Sequence, residues 1–174
     1  MKIPALLTFA LVIMSTAWAA TPEERLAELK LELPKTSAPV ANYVPAVRAG
    51  NLLFLAGNIG RDASGKVIAG KVGGDLTVEQ GAEAAKRTAL SLIANLKAEL
   101  GDLRRVKRIV RVGGFVNSAP GFTQQPAVMN GASDLLVAVF GDAGKHARTS
   151  VGVAELPLNA AVEADLVAEI ADTH

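Results

Sequence analysis

An arginine and a glutamate suffice to build a metal-free site for a small acid, and the chain places one of each in His146–Asp165, HARTSVGVAELPLNAAVEAD. Arg148 opens an apolar run, Thr149–Ala154, with the β-branched and small residues of a buried strand. Glu155–Asn159 reads as a turn, and Ala160–Ile170, which holds Glu163, as the returning strand. On this reading the two runs form a hairpin, with Arg148 and Glu163 near opposite ends of one short loop. A guanidinium is always charged and offers a planar fork of donors suited to a carboxylate. A carboxylate nearby can hold a water or take a proton. The pair could bind and hydrolyse a small acid, or be an exposed ion pair at a hairpin, which is nearly neutral in energy.

Other chemistries find little support. The chain has no cysteine, which excludes disulfides and thiol catalysis. His146 and His174 are the only histidines, and neither has a second histidine or a carboxylate at ligand spacing, so no metal is expected. Ser118 and Ser133 lack a G-x-S-x-G elbow, and Gly57–Gly60 and Gly70–Gly74 lack the spacing of a phosphate loop and read as turns. The net charge of +1 creates no general attraction for nucleic acid. The one basic cluster, Arg104–Arg108 with Arg111, has no interleaved aromatic and reads as a solvated strand entry. No nucleic-acid partner is expected.

With 174 residues, half of them hydrophobic, the chain has material for one domain with a proper core. Lys2, the apolar run Ile3–Ile13 and the small residues Ser15–Ala20 read as a secretory signal peptide over 1–20. The run is shorter than the ~18 to 20 residues of a spanning helix, and no cysteine follows it to take a lipid. The expectation is a secreted, periplasmic protein with no stable membrane association after cleavage. Residues 21–36 form a helical extension, with Thr21-Pro22-Glu23-Glu24 as its cap, Pro34 as its end and a helix over Thr21–Lys35. The domain proper is expected over 37–174.

Within it, Pro39 and Pro45 bound a first strand region, and Leu52–Ala56 forms an antiparallel neighbour. Thr77–Leu100 carries Ala85, Thr88, Ala89, Leu92, Ile93 and Leu96 on one helical face, with Thr77 as cap and Gly101 as stop. Ile109–Val116 reads as a strand, and Gln125–Phe140 as a second helix built on Met129, Ala132, Leu135, Leu136 and Val139. Asn130-Gly131, a turn-prone pair, falls early in that helix, either breaking it or carrying Asn130 toward a cleft. The order β-β-α-β-α-β-β gives a two-layer α+β domain, a mixed β-sheet with two helices on one face.

Three segments resemble the YjgF/RidA family of enamine/imine deaminases, once described as L-PSP endoribonucleases. They are A-R-T-S-V-G-V-A-E-L-P-L-x4-V-E near the C-terminus, Asn42–Val47 with Gly50–Asn58, and Val128-Met129-Asn130. The resemblance covers the chain from about Asn42 to its end, and the three segments keep the family's order. It implies a chorismate-mutase-like fold and a homotrimer with sites between subunits. It also implies hydrolysis of reactive 2-enamine or 2-imine carboxylic acids to 2-keto acids and ammonia, with no cofactor. By the same resemblance Arg148 binds the substrate carboxylate and Glu163 holds the attacking water, while Tyr43, Asn58, Asn130 and Ser150 border the ligand. Ala56 stands where the well-studied deaminases often have serine, Asn58 where glutamine is frequent and Ser150 where cysteine is frequent. The rival expectation is a non-catalytic carboxylate-binding or holdase protein of the same fold.

Overall fold

A computed structural model describes residues 20–36 and 42–171. Residues 1–19 of the segment expected to be a signal peptide, Pro39 and His174 fall outside the described residues. The chain folds as one mixed five-stranded sheet in the order β1-β2-β5-β3-β4, with β1 at Ala46–Ala49, β2 at Leu52–Ile59, β3 at Val106–Asn117, β4 at Ala147–Val153 and β5 at Val162–Ile170. Helices α2 (Val78–Leu100) and α3 (Gln125–Phe140) cover one face. This is the expected two-layer α+β architecture.

The local signals explain most elements. Thr77 Oγ1 accepts from Gln80 N at 3.3 Å and Gln80 Oε1 accepts from Thr77 N at 2.9 Å, so a capping box starts α2. Gly101, at φ 73°, ends α2 in the left-handed conformation open to glycine. The faces expected of both helices are the buried ones, from Ala85 to Leu96 in α2 and from Met129 to Val139 in α3. Asn130-Gly131 does not break α3. A Cβ on Gly131 would lie 2.0 Å from the Ala82 carbonyl oxygen, so the glycine is where α3 presses on the backbone of α2.

Two expectations are corrected. The first helix, α1, covers only Pro22–Glu28, not Thr21–Lys35; Leu29 caps it, and Lys30 at φ 54° turns the chain away. Its capping box is the expected one, with Glu24 N donating to Thr21 Oγ1 and Thr21 N to Glu24 Oε2. Beyond the helix, Leu31 and Leu33 pack on the core from irregular chain. The second correction concerns the C-terminal hairpin, which does not form. β4 pairs in parallel with β3, and β5 pairs antiparallel with β3 on its other side and with β2. Alternate residues Val162, Ala164, Leu166, Ala168 and Ile170 are all buried, which suits β5 to a central slot. The connection between β4 and β5 therefore crosses the end of β3, with an irregular turn at Pro157–Asn159.

Candidate functional site

Because β3 lies between β4 and β5, Arg148 and Glu163 do not share a loop. Arg148 is in register with Val112, whose other neighbour is Leu166, and Glu163 is in register with Phe115. Val112 and Phe115 are three residues apart in an unbroken stretch of β3, so Arg148 and Glu163 project from opposite sheet faces. Two strand spacings and three residues of rise separate their backbones by on the order of 14 Å. A single chain therefore presents two separate candidate sites rather than one.

The first candidate site faces α3. Arg148 Nη1 donates to Asn130 Oδ1 at 3.1 Å and to Ser133 Oγ at 2.9 Å, and Nη2 donates to the Pro126 carbonyl at 3.2 Å. All three acceptors are neutral, so they fix the guanidinium without cancelling its charge. Of its five donors, Nε–H and one Nη2–H have no partner among the described residues, and these two nitrogens form one edge able to grip a carboxylate. Ser150, two residues along the same face of β4, has a buried hydroxyl with no hydrogen-bond partner among the described residues. The structure thus brings together Arg148, Asn130 and Ser150 of the expected site residues. Ser133 was missed, although it lies one helical turn from Asn130, at a spacing that places both on one face.

The second candidate site is a groove of about 490 Å³ beside the end of β2, lined by Tyr43, Asn58, Asn95, Leu158 and Glu163 among others. Pairing with the β1 side ends with Ala56 N donating to the Pro45 carbonyl at 2.9 Å, so among the described residues the last residues of β2 have no strand beyond them on that side. A register shift between Leu55 and Asn58 bends β2 there and turns Asn58 toward α2. Asn58 Nδ2 donates to the Ala56 carbonyl at 2.9 Å, and Asn95 Nδ2 donates to Asn58 Oδ1 at 3.1 Å, which locks the amide. Asn95 was another omission; its only signal was a polar side chain beside the apolar stripe of α2. Tyr43 is 52% exposed and lies at the rim, not in the core.

Glu163 is half-buried and accepts no hydrogen bond among the described residues. Burial, and then the neighbouring Asp165 carboxylate, raise its pKa above the usual glutamate range. Asp165 has its own partners, the Arg111 guanidinium at 3.1 Å and Gly113 N at 3.2 Å. The Glu163 carboxylate fits only because residue 57 is glycine: a Cβ there would lie 2.2 Å from Oε1. A desolvated, unpaired carboxylate with a raised pKa is suited to proton transfer. No group of three or more His, Asp or Glu side chains among the described residues is arranged to hold a metal ion.

Comparison with known proteins agrees with this architecture. The model of the YjgF/chorismate mutase-like family, described as candidate endoribonucleases, matches residues 23–170. Protein TCP17 of Trypanosoma cruzi is 44% identical over 158 residues, covering 90% of this chain and 99% of TCP17. A 2-iminobutanoate/2-iminopropanoate deaminase of Dermatophagoides farinae is 26% identical over 142 residues, covering 80% of this chain and 94% of that protein. Among solved structures, Atu1372 of Agrobacterium tumefaciens, of unknown function, is 42% identical at a TM-score of 0.80, covering 87% of this chain and 94% of its own. A candidate endoribonuclease of Shewanella oneidensis is 36% identical at a TM-score of 0.84, covering 87% of this chain and all of its own. With the sheet order, the helical layer and the family model in agreement, the chain belongs to the YjgF/RidA family.

Proposed function

We propose that this protein is an enamine/imine deaminase acting on small 2-imino carboxylic acids. One observation carries the reading. The Arg148 guanidinium is fixed by neutral acceptors with one bidentate edge unoccupied, as a receptor for a small carboxylate requires. In a 2-imino acid the carboxylate and the imine carbon are adjacent atoms, so anchor and base must lie a few ångströms apart. One chain holds them on opposite sheet faces; the reading therefore requires a second copy to bring its Glu163 groove to the Arg148 edge. The homotrimer implied by the family resemblance is our proposed assembly.

In that site Arg148 grips the carboxylate, and Asn130 and Ser150 border it. Glu163 of the neighbouring copy, with Tyr43 and Asn58 around it, accepts a proton from water as the water adds to the imine carbon. From the protonated imine this gives a neutral carbinolamine. Glu163 returns the proton to nitrogen, and as the C–N bond breaks and ammonia leaves, the hydroxyl O–H bond breaks to form the carbonyl, its proton passing to Glu163 and on to solvent, leaving the 2-keto acid. Imines hydrolyse readily, so positioning and one proton transfer supply the catalysis, with no metal, cofactor or covalent intermediate. We further propose that residues 1–20 are a signal peptide, that 21–36 are an extension to the domain at 37–174, and that the mature protein is periplasmic.

The named deaminase among the relatives supports the reading. The endoribonuclease wording attached to others is not carried over, because three arginines of the basic cluster, in the turn before β3 and in β3 itself, already have partners. Arg104 pairs with Asp102 at 2.6 Å, Arg111 with Asp165 at 3.1 Å, and Arg105 Nη1 donates to the Leu100 carbonyl. A non-catalytic carboxylate binder is the second reading, favoured by Ala56, which offers the groove no hydroxyl. The test is to generate 2-iminopropionate and 2-iminobutyrate with an amino-acid oxidase and trap the residual imine with semicarbazide over time. Faster loss with wild type than with Arg148→Ala is expected; equal loss in both would refute the mechanism.

A further inference from the structure

Arg148 stands at one end of a hydrogen-bond chain that the reaction scheme does not use. Nη1 donates to Ser133 Oγ at 2.9 Å, the same oxygen is 3.0 Å from His146 Nε2, and His146 Nδ1 is 2.7 Å from the Gly144 carbonyl oxygen. A carbonyl only accepts, so Nδ1 carries the imidazole proton. In the neutral ring Nε2 then has a lone pair, which takes the Ser133 hydroxyl proton, and a lone pair of Ser133 is left to meet the guanidinium. Every donor in the chain therefore points the same way, from Arg148 through Ser133 and His146 to Gly144. The far end is close-packed: a Cβ on Gly144 would lie 2.3 Å from the Leu136 carbonyl oxygen, so the Gly144 backbone sits hard against the end of α3.

We propose that Ser133 and His146 are positioning residues for Arg148. His146 sets the direction of the Ser133 hydroxyl, and Ser133 presents the guanidinium with its Nε and Nη2 edge toward the substrate carboxylate. The inference rests on Arg148 being the carboxylate anchor. Although Ser133 and His146 are spaced like a nucleophile and its base, the serine oxygen here receives an N–H from the anchor and needs no bond to carbon. A fixed fork loses less freedom when it closes on a carboxylate, so the chain acts on binding more than on the chemical step.

Steady-state kinetics on 2-iminobutyrate with Ser133→Ala, His146→Leu, His146→Gln and the Ser133→Ala/His146→Leu double variant test this. KM is expected to rise about tenfold in Ser133→Ala and His146→Leu, the loss of one hydrogen bond to a charged group, with kcat within about twofold. His146→Gln should recover much of the loss, since an amide oxygen can accept from Ser133. The double variant should be no worse than Ser133→Ala, because both act through one bond. An unchanged KM, additive losses, or covalent labelling of Ser133 by a fluorophosphonate would each overturn the proposal.

Two measurements separate it from the deaminase reading. Nitrogen chemical shifts of His146 in the ligand-free protein should report a protonated Nδ1 and a bare Nε2 whose signal moves in Ser133→Ala; an Nε2–H ring overturns the chain whatever the activity. If the wild type turns over no imine, the deaminase reading fails, and titration with 2-oxobutyrate, a stable carboxylate, still decides the positioning role. Weaker binding by Ser133→Ala supports it, and equal or undetectable binding overturns it.

Discussion

Replacing Gly57 by alanine should separate stability from catalysis. The new Cβ would lie 2.2 Å from Glu163 Oε1 and 3.1 Å from its carboxyl carbon. Ordinary van der Waals contact is about 3.5 Å, so the carboxylate must retreat by roughly 1 Å. The fold can absorb this, because the obstacle is the far end of a flexible side chain that borders an open groove and has no hydrogen bond to lose. Gly57 is not in the left-handed region, so alanine is not strained there and even gains a few tenths of a kcal/mol by restricting the unfolded chain. Tm should therefore hold or rise slightly. The base, however, would be displaced by a distance that costs about 100-fold in rate, or about 2.7 kcal/mol of barrier. The assay is semicarbazide trapping of 2-iminobutyrate, with thermal unfolding by circular dichroism as the control for folding. Gly57→Ala/Glu163→Ala should be no slower than Glu163→Ala, since both changes act on one group. A folded Gly57→Ala protein with kcat/KM within about threefold of wild type would show that Glu163 is not the base.

Arg148→Lys keeps the charge but loses the fork, so KM for 2-iminobutyrate should rise about tenfold or more, without loss of fold by circular dichroism. Glu163→Gln should raise stability while abolishing most activity. The folded pKa of Glu163 lies above its unfolded value, so its favourable contribution is complete below the unfolded pKa and is lost as pH rises through the folded one. Thermal unfolding should accordingly show Glu163→Gln more stable than wild type near pH 7, with the gap closing in acid. In wild type the acid limb of the rate should have its midpoint above the ordinary glutamate range, and a midpoint within that range would argue against Glu163 as the ionised base. Gly131→Ala would drive its Cβ to 2.0 Å from the Ala82 carbonyl oxygen, where backbone must move, and should cost about 3 kcal/mol in urea unfolding.

Local patterns made much of the fold legible. The apolar faces of α2 and α3, the Thr77 and Thr21 caps and the Gly101 stop are all properties of short windows and appear where expected; the opening hairpin also forms, but β1 starts at Ala46, past the Pro39–Pro45 bounds expected for the first strand. α1 was overextended because Leu29, Leu31 and Leu33 look helical in a window, whereas Leu31 and Leu33 reach the core from irregular chain. Residue types at the candidate site were also legible, Arg148 as a fork of donors and Glu163 as a carboxylate in an apolar run. Gly57 and Gly131 read as turn residues, because nothing in a window shows that Glu163 or the Ala82 carbonyl occupies the space where their side chains would be.

Short windows of residues carried most of the helix and strand positions, the apolar faces and the side chains able to do chemistry, because those depend on neighbours within a few residues. That β3 lies between β4 and β5 comes instead from long-range packing. That placement depends on which strands bury an apolar face beneath α2 and α3, and it is settled far from the loop that joins β4 to β5. It puts Arg148 and Glu163 on opposite faces of the sheet, so the two residues expected together in one hairpin stand apart in the chain.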